Sequence, residues 1–166
     1  MIARLVAPVA AFGFVASLVA QIGFLLGYNL LGPANAALFI GVFVVWFPTV
    51  MSVKRLQTRR NSSDWRALLV GAPPWALPAM YAVFAYAIIN FLLGFLKVFS
   101  MEGDGFWRVG SSHAMVFYLA AWGTATAAIA RAEQGLEWKC EQGHDMAYDA
   151  KFCPECGAPM RKPGRV

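Results

Sequence analysis

Charge is what this sequence has least of. Asp, Glu, Lys and Arg make up 14% of its 166 residues, against roughly 25% in a water-soluble domain. Hydrophobic residues reach 59% and mean hydropathy is +0.54. A soluble globular chain is excluded, and a membrane protein with a small polar appendage is expected. Carboxylates are missing from every long apolar stretch, so no proton relay through the spans is expected. Only one of the two histidines falls in the apolar part, which excludes bis-His haem ligation there. The three cysteines all lie in the last 27 residues, and an odd number excludes a complete disulfide framework. No nucleophile–base pair and no open metal site can be assembled from the remaining residues, so the chain is not expected to be an enzyme.

What the chain does have is a basic loop, Lys54-Arg55-Leu56-Gln57-Thr58-Arg59-Arg60, followed by Arg66. Apolar segments of membrane-spanning length flank it. Lys and Arg in short loops stay on the cytoplasmic side, so this loop sets the threading of the whole chain. The net charge of +5 therefore reports orientation in the membrane before it reports a nucleic-acid partner.

Four spans are expected, over residues 5–28, 34–53, 75–99 and 111–130, each close to the roughly 20 residues that cross hydrocarbon. A secretory signal peptide is the alternative for the first. Its apolar run exceeds the 7–15 residues typical of an h-region, and no small-x-small cleavage site precedes a polar sequence, so it reads as a retained helix. Gly23 and Gly27 form a GxxxG spacing in it, and Ala120, Gly123 and Ala127 form a small-residue stripe in the fourth span. Pro48 is expected to kink or loosen the end of the second span, and Trp46 to sit at the interface. Ser63 and Asp64 open a short surface helix over Asp64–Val70, which ends at Gly71-Ala72-Pro73-Pro74. Ser100 to Gly110 reads as a glycine-rich loop. Outside the basic loop, the connections carry no net charge. Four spans then place both termini in the cytosol, in the plasma (inner) membrane.

The fold class expected is thus an all-α membrane protein: four transmembrane helices over residues 1–131 and a small cytosolic tail over residues 132–166. That tail carries Cys140, His144, Cys153 and Cys156 in the spacing C-x3-H-x8-C-x2-C. Three thiolates and one imidazole satisfy tetrahedral Zn²⁺ with no open position. A tail this short has too little core to fold unaided, so a structural metal is the natural staple. A thioredoxin-type redox pair is the competing reading of Cys153 and Cys156, but no βαβ pattern accompanies it. The run Phe152-Cys153-Pro154-Glu155-Cys156-Gly157 resembles the knuckle of zinc-ribbon proteins, over residues 138–160 only. In the first knuckle His144 stands where those proteins more often have a cysteine, at a longer spacing. In the membrane part, Gly71-Ala72-Pro73-Pro74-Trp75 and Ser112-His113-Ala114-Met115-Val116-Phe117-Tyr118 look like segments of uncharacterised four-helix bacterial membrane proteins, a resemblance that implies no activity.

From Glu137 to Met160 there are two lysines against five acids, so the ribbon lacks the basic footprint of a nucleic-acid binder. A protein partner or a second copy is expected besides the lipid bilayer. A second cluster is spelled out by depth. Gln21 and Asn90 lie roughly 22–24 Å from the cytosolic side at 1.5 Å per residue, and His113 enters the same leaflet. They form either interhelical hydrogen bonds or a small outer polar pocket. The function expected is a non-enzymatic membrane adaptor or assembly factor presenting a structural zinc ribbon. The alternative is a small-solute transporter or channel subunit that uses the outer pocket.

Overall fold

An apolar run can keep its own peptide groups bonded only by coiling into a helix, and the apolar segments do so. The computed structural model describes residues 2–56, 68–100, 102–133, 140–144, 151–153 and 155–159. Among these, four helices are long and apolar enough to cross a membrane: α1 (Ile2–Leu25), α2 (Ala34–Leu56), α3 (Ala76–Phe95) and α4 (Asp104–Glu133). The described residues contain no strand beyond one isolated bridge.

α4 is the axis of the bundle. The other three helices pack on it, α1 most extensively. Its buried face is built from small residues, including Gly110, Ala114, Ala120, Ala121, Gly123 and Ala127, which let neighbouring backbones come close. The stripe expected at Ala120, Gly123 and Ala127 is this face. Its one large buried aromatic is Tyr118, 2% exposed. The ring occupies the space left by Gly13 of α1, and its hydroxyl reaches over Gly41 of α2 to donate a 2.8 Å hydrogen bond to the Leu38 carbonyl. Tyr118 therefore pins three helices at one level. A second cluster packs Leu69 with Met80, Leu119 and Ala120, so Leu69 faces the bundle. The rest of the expected surface helix, up to Ala67, lies outside the described residues.

Helix ends differ from expectation for identifiable reasons. α1 stops at Leu25 because Gly27 takes φ +81°, and the Gly27 and Tyr28 N–H groups fold back to the Phe24 and Gly23 carbonyls at 3.2 and 2.9 Å. That is a Schellman cap. Gly27 is thus a helix stop, and the Gly23/Gly27 pair is not a packing face. α3 ends the same way at Lys97, which adopts φ 59° without being glycine; its N–H and that of Val98 reach the Gly94 and Leu93 carbonyls at 3.0 and 2.9 Å. The expected loop Ser100 to Gly110 is helical from Asp104 onward. Two of its three glycines serve close approach: a Cβ at Gly110 would strike the Phe39 ring, and one at Gly105 the Ser100 carbonyl. α2 runs on through Pro48 to Leu56. Trp46 is half-buried and packs edge-on against Phe117 at 5.0 Å.

One end of the bundle is tied by polar groups. Asn29 donates to the Asp104 carboxylate at 2.7 Å and accepts from the Gly32 N–H and the Asn35 amide, both at 2.9 Å. This fixes the α1–α2 turn to the start of α4. At the other end Arg4 pairs with Glu133 at 3.3 Å.

Candidate metal centre

Two tight loops build the Cys/His cluster. In the first, the Cys140 N–H donates to the His144 carbonyl at 3.1 Å, and the Cys140 carbonyl accepts from Gly143 N–H at 2.9 Å. In the second, the Cys153 N–H donates to the Ala158 carbonyl at 2.8 Å, and its carbonyl accepts from Gly157 N–H at 2.9 Å. An antiparallel bridge between Phe152 and Pro159 closes that loop. Each turn needs one left-handed residue, and Gly143 (φ 82°) and Gly157 (φ 72°) supply it. The first loop is one residue shorter. The second presents its inner ligand, Cys156, just before the glycine; the first presents His144 just after it.

The two loops bring all four predicted residues together. Their ligand atoms lie within 4.8 Å of one another. Cys140 Sγ stands 3.5 Å from His144 Nδ1 and 3.6 Å from Cys156 Sγ, and Cys153 Sγ stands 3.7 Å from His144 Nδ1. With metal–sulfur bonds of about 2.3 Å and metal–nitrogen bonds of about 2.0–2.1 Å, tetrahedral ligands stand about 3.8 Å (sulfur to sulfur) and about 3.6 Å (sulfur to nitrogen) apart. These three separations match those spacings, and the group as a whole is close enough to hold a metal ion. All three cysteines are free thiols. Cys140 and Cys153 are buried and Cys156 is half-buried.

The knuckle also prepares its sulfurs electronically. Burial pushes the Cys153 thiol up, but the N–H groups of Cys156 and Glu155 and the neighbouring Cys156 and Cys140 thiols together outweigh that and hold it below the usual thiol range. At Cys156 the Ala158 N–H lowers the thiol, while burial and the neighbouring Cys153 and Cys140 sulfurs raise it further, so the net shift is upward. Sulfurs crowded in this way favour a shared cation. The remaining imidazole nitrogen, Nε2, lies 3.4 Å from Glu155 Oε2. Glu155 was not legible as part of the site, although its place between Cys153 and Cys156 was the available signal.

The other candidates, Gln21, Asn90 and His113, are not brought into one pocket. Gln21, 2% exposed, donates to the Tyr86 hydroxyl at 2.7 Å and accepts from Ser111 at 2.6 Å. Asn90 donates to the Tyr86 carbonyl and accepts from Arg108 Nε, both at 3.2 Å. The Arg108 guanidinium lies 4.5 Å above the Phe99 ring. His113 stands apart. Its Nδ1 is 2.9 Å from the Val109 carbonyl, so it is the protonated nitrogen, and its ring meets Phe91 edge-on. Tyr86, Ser111 and Arg108 were missed as partners. Tyr86 is one turn from Asn90, which was the signal. A cavity of about 350 Å³ opens among α2, α3 and α4, and its wall is carbon apart from the polar tips of Trp46, Tyr81 and His113.

The class defined by these features is an all-helical chain with four membrane-length apolar helices and a three-cysteine, one-histidine cluster. No family model, no curated protein and no solved structure matches this chain.

Proposed function

We propose that this chain is a multi-pass protein of the plasma membrane with both termini in the cytosol. Residues 1–131 form the transmembrane domain, and the tail, residues 132–166, is a zinc ribbon in which Cys140, His144, Cys153 and Cys156 hold one structural Zn²⁺. On this reading it works as a non-enzymatic adaptor or assembly factor, with the ribbon presented to a protein partner or a second copy. The single observation that carries the reading is the convergence of four ligand atoms to within 4.8 Å of one another; four protein ligands on a tetrahedral ion would leave no position for activated water or substrate. Membrane insertion is supported by the outward side chains: Phe12, Phe43, Phe47 and Phe95 are 66–75% exposed, more apolar surface than a water-soluble monomer shows. Gln21, Tyr86, Asn90, Arg108 and Ser111 are spent on one another, which favours the adaptor over a solute pathway.

The test is made on the full chain extracted in detergent. One zinc per chain and a reproducible protein partner after crosslinking are expected. Single cysteines at Gln57 and Gly164, in a background retaining the tail cysteines under metal, are expected to label only from the cytosol, and those at Gly32 and Gly103 only from outside. A metal-free chain, or labelling of Gly164 from outside, refutes the reading.

A further inference from the structure

The Cys140–His144 loop leaves the imidazole with one proton to place. His144 Nδ1 faces the sulfurs of Cys140 and Cys153 at 3.5 and 3.7 Å. To bind a metal, Nδ1 must be unprotonated, so the ring's one N–H must sit on Nε2. A free imidazole in water has no fixed choice between its nitrogens. A carboxylate that accepts from Nε2–H settles it, orients the ring and makes Nδ1 a better donor. Among the described residues, the acid that pairs with His144 is Glu155, with Oε2 3.4 Å from Nε2.

Glu155 touches the centre twice. Its backbone N–H is aimed at the Cys153 sulfur, and its side chain reaches the ligand of the other loop. The turn between Cys153 and Cys156 therefore holds a sulfur with its backbone and an imidazole with its side chain. On the opposite side, the Cys140 N–H bonded to the His144 carbonyl fixes the base of that imidazole.

We propose that Glu155 is a positioning residue of the metal centre: its carboxylate holds His144 in the tautomer that ligates through Nδ1, and so secures the ligand whose spacing departs most from an all-cysteine knuckle. The proposal rests on the metal reading above. Partners of this kind change metal affinity by roughly 10–100-fold. His144 and Glu155 side chains are 34% and 65% exposed, and water weakens the contact, so the lower end, about tenfold, is expected.

The experiment uses the full chain in detergent micelles. Zinc affinity is measured by competition with a chromophoric chelator for the unmodified chain, Glu155→Ala, Glu155→Gln, His144→Ala and the His144→Ala/Glu155→Ala double variant. Imidazole ¹⁵N spectra are recorded on the zinc-loaded chain, which has only two histidines, with His113 as the internal reference. The expected spectrum shows zinc on His144 Nδ1 and a proton on Nε2. Glu155→Ala is expected to weaken zinc about tenfold, Glu155→Gln to keep most of the affinity through its amide oxygen, and the double variant to bind as His144→Ala does. That non-additivity shows action through the imidazole and not through general charge or folding. Zinc on Nε2, an unweakened Glu155→Ala, or equal losses with and without His144 overturns this proposal alone. A chain that takes up no zinc overturns the metal reading together with it.

Discussion

Gly41 and Tyr118 define a clash that can be switched on and off. A Cβ added at Gly41 would strike the Tyr118 hydroxyl, while the next ring atom, Cζ, would stand at an ordinary 3.5 Å. Gly41→Ala thus opposes two effects. Helix propensity favours Ala by about 1 kcal/mol, and overpacking costs about 1–3 kcal/mol. In the unmodified chain the result is a loss of up to about 2 kcal/mol. Tyr118→Phe alone gives up the hydrogen bond to Leu38, worth roughly 0.6 kcal/mol inside a membrane, and removes the atom that clashes. In that background Gly41→Ala is expected to be neutral or to stabilise by up to about 1 kcal/mol. The coupling is then about 1–3 kcal/mol in favour of the double variant. Gly13→Ala is the control. Its Cβ would meet ring carbons, which phenylalanine retains, so Tyr118→Phe should not rescue it. Equilibrium unfolding of the six chains in lipid–detergent bicelles measures both couplings. Equal cost of Gly41→Ala in both backgrounds, or equal rescue of Gly13→Ala, refutes the placement of Tyr118 between α1 and α2.

In the tail, Cys153→Ser is expected to abolish zinc binding, while His144→Ala weakens it less because water can take the vacated position; metal content per chain checks both. Chelation should open residues 138–160 to protease while the helices stay folded, since on the membrane reading proposed above lipid burial would stabilise them independently. Gln21→Leu removes the hydrogen bonds to Tyr86 and Ser111 and should cost about 1 kcal/mol at roughly 0.6 kcal/mol each, with any cellular phenotype retained. Lys97→Gly relieves a left-handed backbone and should raise the unfolding midpoint, by up to about 1 kcal/mol in stability; a lower midpoint would show that the ammonium matters more than the cap.

The helices were legible because their signal is local. A run of apolar residues long enough to span needs no partner to declare itself, and the four appear where composition puts them. The ends were less legible because glycine has two uses. Gly27 breaks a helix through its backbone, whereas Gly105 and Gly110 sit inside one because Ser100 and Phe39 come too close for a Cβ. The same letter reads as a stop or as a contact, and only the neighbour across space decides between them. Gly13 shows this most plainly. With Ala10, Ser17 and Ala20 it makes a small-residue face of helical spacing, whereas the GxxxG spacing lies further on, at Gly23 and Gly27. What selects Gly13 is Tyr118, more than a hundred positions away.

The metal cluster was legible for a related reason. Cysteine and histidine announce their own chemistry, and a knuckle places its ligands within a few residues of each other. Spacing alone therefore identified Cys140, His144, Cys153 and Cys156 as one group. It could not say which histidine nitrogen would face the sulfurs, since that depends on how far Gly143 turns the chain. Nor could it separate Glu155 from the other acids of the tail, because a carboxylate becomes part of a site only through what it reaches. The same holds for Gln21 and Asn90. Their sequence positions say that each needs a partner in an apolar setting, and matched depth suggested that they would supply one another. The partners are instead Tyr86, Ser111 and Arg108, residues whose own demands were partly met elsewhere. A polar group between helices is satisfied by whichever donor lies across the contact, and packing chooses that contact by fitting small side chains to large ones. The polar cluster therefore follows from the fit of α4 among its three neighbours, and a substitution that shifts this fit at Gly13 or Gly41 should disturb the Gln21 hydrogen bonds without touching them.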